Sequence, residues 1–132
     1  MAAKDVIVLN SHGVGQYAYT DHMPKWGETL SVKNWHVAED GGKGTNVSVA
    51  LGRLGIRTAY IGKVGNDPWG DLGEKWLEDA GVDATYMYRT DEVSTGTGLI
   101  LLGPDGQNAI IDGDSSSVAL KEEEVIAALE DM

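Results

Sequence analysis

The chain has 132 residues, 42% of them hydrophobic, and a formal net charge of −11 at pH 7. This length predicts one domain with its own core, and the negative charge argues against nucleic acid or an anionic membrane and favours a small polar ligand. The chain has no cysteine, which excludes disulfides and makes the reducing cytoplasm the expected location. No apolar run is long enough for a secretory signal core or a membrane span.

Strands and helices alternate in the first half of the sequence. Val6–Leu9 is a continuous apolar run, typical of a central strand that is buried on both faces. Apolar and polar residues alternate over 29–38, which predicts a strand with one face in water. A second buried strand at 58–64 completes a strand-helix-strand order that favours a parallel α/β sheet. Between these strands, Gly55 ends a helix whose apolar stripe is Val47, Ala50, Leu51 and Leu54.

A second helix and a third strand follow. Asp67 is a favourable N-cap, Pro68 a favourable first helical residue and Gly81 a favourable stop signal. The third strand, 85–89, is expected to place its two tyrosines on one face and Met87 on the other. The apolar face predicted for the helix is Trp69, Leu72, Trp76, Leu77 and Ala80.

The remaining elements predict a hairpin and a last helix. Apolar runs at 98–102 and 108–111 are joined by a Gly-Pro-Asp-Gly turn at 103–106. Together with 29–38, they are expected to form a small second sheet against the main one. The last helix, 120–132, has a strongly negative wet face, and its apolar residues are Leu120, Val125, Ile126 and Leu129.

Three motifs fail on their context. The Gly-Lys pair at 42–43 is not a Walker loop, because Val37 and Gly44 replace the required glycine and hydroxyl residue. Residues 13–18 match the dinucleotide fingerprint G-x-G-x-x-A, but no helix is predicted after them. No metal site is predicted, because the histidines are too widely spaced: His12, His22 and His36.

A glycine-rich loop is the strongest candidate for a binding site. Gly41, Gly42 and Gly44 flank Lys43 directly before the first predicted helix. Glycine lets a ligand approach the backbone closely, and the first helical turn offers unpaired N–H groups and partial positive charge. The loop therefore predicts a cradle for hydroxyls or an anion. The alternative is a tight glycine turn with Lys43 simply solvated.

This loop resembles the first signature of the ribokinase-like (pfkB) carbohydrate and nucleoside kinases, which it matches over 41–55 as Gly-Gly-Lys-Gly-Thr-Asn-Val-Ser-Val-Ala-Leu-Gly-Arg-Leu-Gly. Pro-Lys-Trp-Gly-Glu-Thr at 24–29, Gly-Asn-Asp-Pro-Trp-Gly at 65–70 and Ser-Thr-Gly at 94–96 resemble further family motifs in the same order. The resemblance implies a single partial domain over 1–132, the N-terminal half of an α/β fold with a parallel sheet flanked by helices. It also implies a small β-sheet lid with strands within 15–39 and 97–111.

The same resemblance implies a kinase that transfers the γ-phosphoryl group of ATP to a hydroxyl of a sugar or nucleoside. In such enzymes the residues matching Gly41, Gly42, Lys43 and Asn46 hold substrate hydroxyls. Many members also use an aspartate shortly after the first strand, and this sequence has Gly15 there. Gln16 either supplies a substitute contact or is only solvated.

The second signature of the family, Asp-Thr-x-Gly-Ala-Gly-Asp, has no match in this sequence, and neither does Asn-x-x-Glu. ATP and Mg²⁺ are therefore expected for the complete enzyme, no catalytic residue is assigned, and the chain alone is expected to be inactive. Its expected partner is a second copy or a missing C-terminal half. The alternative function is a non-catalytic sugar-binding or dimerisation module derived from such a kinase.

Overall fold

Two β-sheets organise the chain. The computed structural model describes residues 3–132, apart from the Val118 side chain, so residues 1 and 2 of the predicted domain lie outside the described residues. The strands are β1 (Val6–Leu9), β2 (Gly13–Tyr19), β3 (Lys33–Val37), β4 (Thr58–Gly65), β5 (Asp83–Thr90), β6 (Gly96–Leu102) and β7 (Asn108–Asp112). The helices are α1 (Gly42–Arg53), α2 (Pro68–Asp79) and α3 (Glu122–Asp131), with a 3₁₀ turn at Ser116–Ala119.

The larger core belongs to a three-stranded parallel sheet in the order β1-β4-β5, which confirms the predicted strand-helix-strand arrangement. Every residue of β4 is buried, so β4 is the central strand. The prediction that Val6–Leu9 is central and buried on both faces is therefore wrong for this chain. β1 pairs on one side only among the described strands, and its Ile7 and Leu9 are 41% and 53% exposed.

Helices lie on both faces of this sheet. α3 places Ala128 against Ile61 and Tyr86 on one face. The alternation along β5 thus sends its tyrosines and Met87 to opposite faces, as predicted. On the other face, α1 and α2 pack on β4 and β5 through a cluster that includes Val49, Tyr60, Val64, Leu77 and Met87.

Helix α1 turns a different side to the core from the predicted one. Its buried residues are small, and Val47 and Leu54 of the predicted stripe are 51% and 77% exposed. The reason is steric, because glycine lets α1 approach α2 closely: a Cβ at Gly52 would lie 2.3 Å from the Ala80 carbonyl oxygen. The helix itself was predicted correctly, but its buried face is Gly44, Thr45, Ser48 and Val49.

Asp67 connects α2 with both sheets. Its Oδ1 accepts a hydrogen bond from the Gly70 N–H at 2.9 Å, which confirms the predicted N-cap. Its Oδ2 accepts from the Thr95 N–H at 2.8 Å, directly before β6. The Thr95 hydroxyl in turn accepts from the Gly65 N–H at the end of β4. Burial opposes ionisation of Asp67, but these hydrogen bonds outweigh it and lower the pKa of the carboxyl group.

Lys63 fastens the last helix to the sheet. This nearly buried lysine on β4 donates to Glu124 Oε1 at 2.7 Å and to the Ala119 carbonyl at 3.0 Å. Only part of the predicted apolar face of α3 is covered, since Ile126 and Leu129 are 47% and 51% exposed.

Within the described residues, no helix combines the length and apolar composition that crossing a bilayer requires.

The second sheet has four strands in the order β3-β2-β6-β7, which confirms the predicted small sheet. β6 and β7 form the predicted antiparallel hairpin. The residues of the failed dinucleotide fingerprint, 13–18, lie within β2, which is parallel to β6 and antiparallel to β3. The strand predicted at 29–38 is shorter, Lys33–Val37, and all of its residues are exposed, because β3 lies at the edge of the sheet.

Candidate functional site

A cleft of about 590 Å³ lies where the segment after β1 and the start of α1 face the small sheet. One wall comes from the first half of the chain: Asn10, Ser11, His12, Gly13, Val14, Gly15, Tyr17, Asp40, Gly42, Lys43 and Asn46. The other comes from β6, β7 and the residues after them: Gly96, Thr97, Gly98, Ile100, Asn108, Ile110, Asp112, Gly113 and Ser115. The cleft has the size of a small-molecule site.

Backbone hydrogen bonds position the glycine-rich loop beside β2. The N–H groups of Gly13 and Gly15 donate to the carbonyl oxygens of Gly41 and Asp40, at 3.2 and 2.9 Å. α1 can begin so close to the end of β1 because Gly44 has no side chain: a Cβ there would lie 2.2 Å from the Asn10 Cβ. The loop is therefore held by main-chain contacts and presents its side chains to the cleft.

The loop uses two of its own backbone N–H groups internally. The Gly41 N–H donates to Asn46 Oδ1 at 3.0 Å, and the Gly42 N–H donates to Asp40 Oδ1 at 3.2 Å. Of the predicted binding residues, the cleft brings together Gly42, Lys43, Asn46 and Gly15. Gly41 is buried and does not line the cleft.

The structure does not bring Gln16 to the cleft. Side chains alternate along β2, so Gly15 and Tyr17 point to the cleft and Gln16 points to the opposite face of the sheet. There the Gln16 Oε1 accepts a hydrogen bond from the Trp35 indole N–H at 3.0 Å. The substitute contact suggested for Gln16 therefore has no geometric support in this structure.

Asp40 is a site residue that sequence reasoning missed. Its Oδ2 accepts from the Tyr17 hydroxyl at 2.6 Å, and its Oδ1 accepts from the Asn46 amide at 2.9 Å. Burial opposes ionisation of Asp40, but these hydrogen bonds and that from the Gly42 N–H outweigh it and lower the pKa of the carboxyl group. No local signal in the sequence marks it, because its place over Gly15 depends on the contact between the loop and β2.

His12 forms the buried end of the cleft. It is 1% exposed, and its Nδ1 lies 2.9 Å from the Thr45 hydroxyl, while Nε2 has no hydrogen-bond partner among the described residues. Its ring packs edge-on to Trp76 and covers Gly73, where a Cβ would lie 2.2 Å from Nε2. Burial lowers the pKa of His12 to about 4, against smaller opposing effects of the Trp69 backbone and Asp67. This histidine is a neutral structural support for the start of α1.

Comparison with known sequences connects this architecture to one family. The model of the pfkB family of carbohydrate kinases matches residues 17–131. Ribokinase of Staphylococcus aureus (strain COL) is 32% identical over 123 residues, which make up 93% of this chain and 40% of that protein. Deoxyribokinase of Salmonella typhi is 32% identical over 97% of this chain and 42% of that protein. The chain thus spans about 40% of the length of these curated relatives.

Solved structures agree with this relationship. Arabidopsis thaliana ribokinase, solved in complex with ribose and ATP, superposes with a TM-score of 0.77 at 31% identity over 86% of this chain and 37% of that one. Giardia lamblia ribokinase superposes with a TM-score of 0.84 over 98% of this chain and 38% of that one, and at 22% identity it supports the fold alone. The chain contains a partial ribokinase-like fold and belongs to the pfkB family of carbohydrate kinases.

Proposed function

We propose that this chain is the acceptor-binding portion of a kinase that transfers the γ-phosphoryl group of ATP to a hydroxyl of a sugar or nucleoside. The observation that carries the proposal is the cleft in which Lys43 and Asn46 at the start of α1 face the small sheet. An ammonium, an amide and the Asp40 carboxylate together offer the donors and acceptors that several sugar hydroxyls require. The names of the relatives, ribokinase and deoxyribokinase, support the same substrate class.

In this proposal, Lys43 and Asn46 bind hydroxyls, and the glycines at 42 and 15 let the ligand approach the backbone. The small sheet is the lid, with strands within 15–39 and 97–111, which closes over the acceptor and excludes water. Gly41 contributes through the shape of the loop. The compartment expected for this chemistry, and for a chain without cysteine, is the cytoplasm.

No step of phosphoryl transfer is assigned to a residue of this chain. Among residues 3–132, no group of three or more histidine, aspartate or glutamate side chains converges as a metal site. The glycine-rich segment that resemblance predicts for ATP has no match in the sequence either. We propose that the residues that hold Mg-ATP in the complete enzyme are not among those of this chain, and that the chain alone binds the acceptor without phosphorylating it. A second copy or a complementary chain is the proposed macromolecular partner.

Calorimetric titration with ribose, deoxyribose, fructose, adenosine and ATP tests the function. We expect one of the acceptors to bind and ATP not to bind. Replacing Lys43 with Ala should weaken acceptor binding about tenfold or more, because hydrogen bonds to charged groups contribute about 1.5–3 kcal/mol. The matched control is Lys75→Ala on α2, which removes an exposed lysine outside both the cleft and the small sheet.

The possible results separate the candidate functions. Acceptor binding that Lys43→Ala weakens and Lys75→Ala leaves unchanged supports the proposal. A folded chain that binds none of the acceptors contradicts it and leaves the dimerisation module. Turnover of ATP by the pure chain would contradict the proposed inactivity.

A further inference from the structure

The floor of the cleft is a row of glycines on neighbouring strands. Gly15 of β2 is in register with Gly98 of β6, and Gly98 is in register with Asp112 of β7. Residues in register on paired strands point to the same face of a sheet. Gly15, Gly98 and the Asp112 side chain therefore all face the cleft, and the two glycines contribute no side chain to its floor.

A carboxylate lies directly over each of these glycines. A Cβ at Gly15 would lie 2.9 Å from Asp40 Oδ2, and a Cβ at Gly98 would lie 2.8 Å from Asp112 Oδ1. Because β2 and β6 are adjacent strands, about 4.8 Å apart, the two carboxylates occupy neighbouring positions above one floor. Any larger residue at either glycine would displace the carboxylate above it.

The two carboxylates retain capacity to accept hydrogen bonds. The oxygens of Asp40 accept three hydrogen bonds, from Tyr17, Asn46 and the Gly42 N–H, of the roughly four that a carboxylate can accept. The carboxylate of Asp112 has no hydrogen-bond donor among the described residues. Ionised carboxylates only accept hydrogen bonds, so both groups are suited to ligand hydroxyl or amino donors.

The charges that line the cleft disfavour an anionic ligand on the glycine floor. Of the residues that line the cleft, Lys43 is the only lysine or arginine, whereas both Asp40 and Asp112 carry carboxylates. A ligand carboxylate or phosphate placed on the glycine floor would meet two like charges, and like-charge juxtaposition is strongly unfavourable at a binding site. A neutral or cationic ligand meets no such penalty.

We infer that Asp40 and Asp112 determine the specificity of the cleft, selecting an acceptor that presents hydroxyl or amino donors to the glycine floor and rejecting one that presents a carboxylate or phosphate. The inference rests on the proposed function, since it names the substrate class of the same cleft. The inference also explains the two glycines in the floor, because they leave space for the carboxylates of Asp40, before α1, and of Asp112, on β7.

The test compares a neutral sugar with its charged derivatives. Calorimetric titration of the full chain at pH 7 uses D-glucose, D-glucosamine and D-gluconate, and D-ribose with D-ribonate. We expect each neutral or amino sugar to bind at least tenfold more tightly than the matching acid. Asp40→Asn and Asp112→Asn should each weaken neutral-sugar binding about tenfold and reduce the preference over the acid, as the loss of a hydrogen bond to a charged group predicts. The control is Asp21→Asn, an exposed aspartate outside the cleft.

The failures are distinguishable. If the folded wild-type chain binds none of these sugars or acids and does not bind adenosine either, the proposed function fails and the inference fails with it. If it binds the sugars but binds the acids equally well, or if both Asn variants keep the wild-type preference, only the inference is overturned.

A double variant that moves the carboxylate from position 40 to position 15 tests the geometry while keeping the charge. Asp40→Gly should lose neutral-sugar affinity, and adding Gly15→Asp should restore it, because both positions place a carboxylate in one volume. Gly15→Asp alone should lower the thermal denaturation midpoint, whereas in the Asp40→Gly background it should not. If Gly15→Asp destabilises the wild-type chain and the Asp40→Gly variant equally, the two carboxylates do not occupy the same volume.

Discussion

His12 shows how burial of one titratable group makes stability depend on pH. The pKa of its imidazole is about 4 in the native chain and about 6.5 in an unfolded one, so the unfolded state binds the proton first as the pH falls. Stability should therefore decrease from about pH 6.5 to about pH 4, by about 2 kcal/mol at pH 5 relative to pH 7.5. Urea denaturation at both pH values measures the difference.

His12→Gln is the informative variant, since glutamine can keep the Thr45 hydrogen bond without titrating. It should remove most of this pH dependence, and His36→Gln on the exposed strand β3 should leave it in place. Carboxyl groups with lowered pKa, such as Asp40 and Asp67, also contribute to the pH dependence at its acid end, so the histidine contribution is read from the difference between wild type and His12→Gln. An unchanged slope in His12→Gln would contradict the account.

At the scale of single residues, sequence predicted part of the lining of the cleft. Lys43 and Asn46 could be found because their spacing belongs to a recognisable motif. Asp40 and Asp112 could not, because their meaning depends on Gly15 and on Gly98, which are distant in sequence and become neighbours only through the pairing of β2 with β6 and β6 with β7.

The packing of α1 on α2 is decided by Gly52. Alanine normally stabilises a helix by about 1 kcal/mol relative to glycine. Here a Cβ would lie 2.3 Å from the Ala80 carbonyl oxygen and 2.8 Å from Val82, so Gly52→Ala should instead destabilise the chain by about 1–3 kcal/mol. Urea denaturation measures the effect. Ala50→Gly, at an exposed position of the same helix, should cost only the propensity difference of about 1 kcal/mol.

A gain of stability in Gly52→Ala, equal to the loss in Ala50→Gly, would show that the two helices are not in close contact. The same glycine explains why the helix was predicted but its buried face was not. Periodicity reports where apolar residues lie, whereas the face of α1 that packs is the one with side chains small enough for close approach. β4 and α2 were easier to predict, because a segment rich in apolar residues and a capping aspartate act locally.

Across the whole molecule, apolar surface remains uncovered on the three-stranded sheet and its helices. Leu9 on the unpaired edge of β1 and Leu54 on α1 are 53% and 77% exposed. Exposed apolar surface and open sheet edges favour association. We expect light scattering after size-exclusion chromatography to give a mass above the 14.1 kDa of one chain, increasing with concentration.

Two variants identify the surface that associates. Leu54→Lys should reduce the mass if α1 and β1 carry the contact, and Trp35→Ser should reduce it if the small sheet does. A monomer over the full concentration range would contradict the prediction. Apart from β2, the order of the elements followed from sequence, but the exposure of β1 did not, because an apolar strand looks the same whether or not a neighbour covers it.

The hydrogen bonds of Asp67 have a mechanical consequence. The Asp67 carboxylate accepts hydrogen bonds from the first turn of α2 and from Thr95, the residue directly before β6. The hydroxyl of Thr95 accepts a further hydrogen bond from the end of β4. The two sheets therefore share a fixed pivot close to the cleft. A rotation of the small sheet about this connection would move the parts of β6 and β7 that lie farthest from Asp67 over the largest distance.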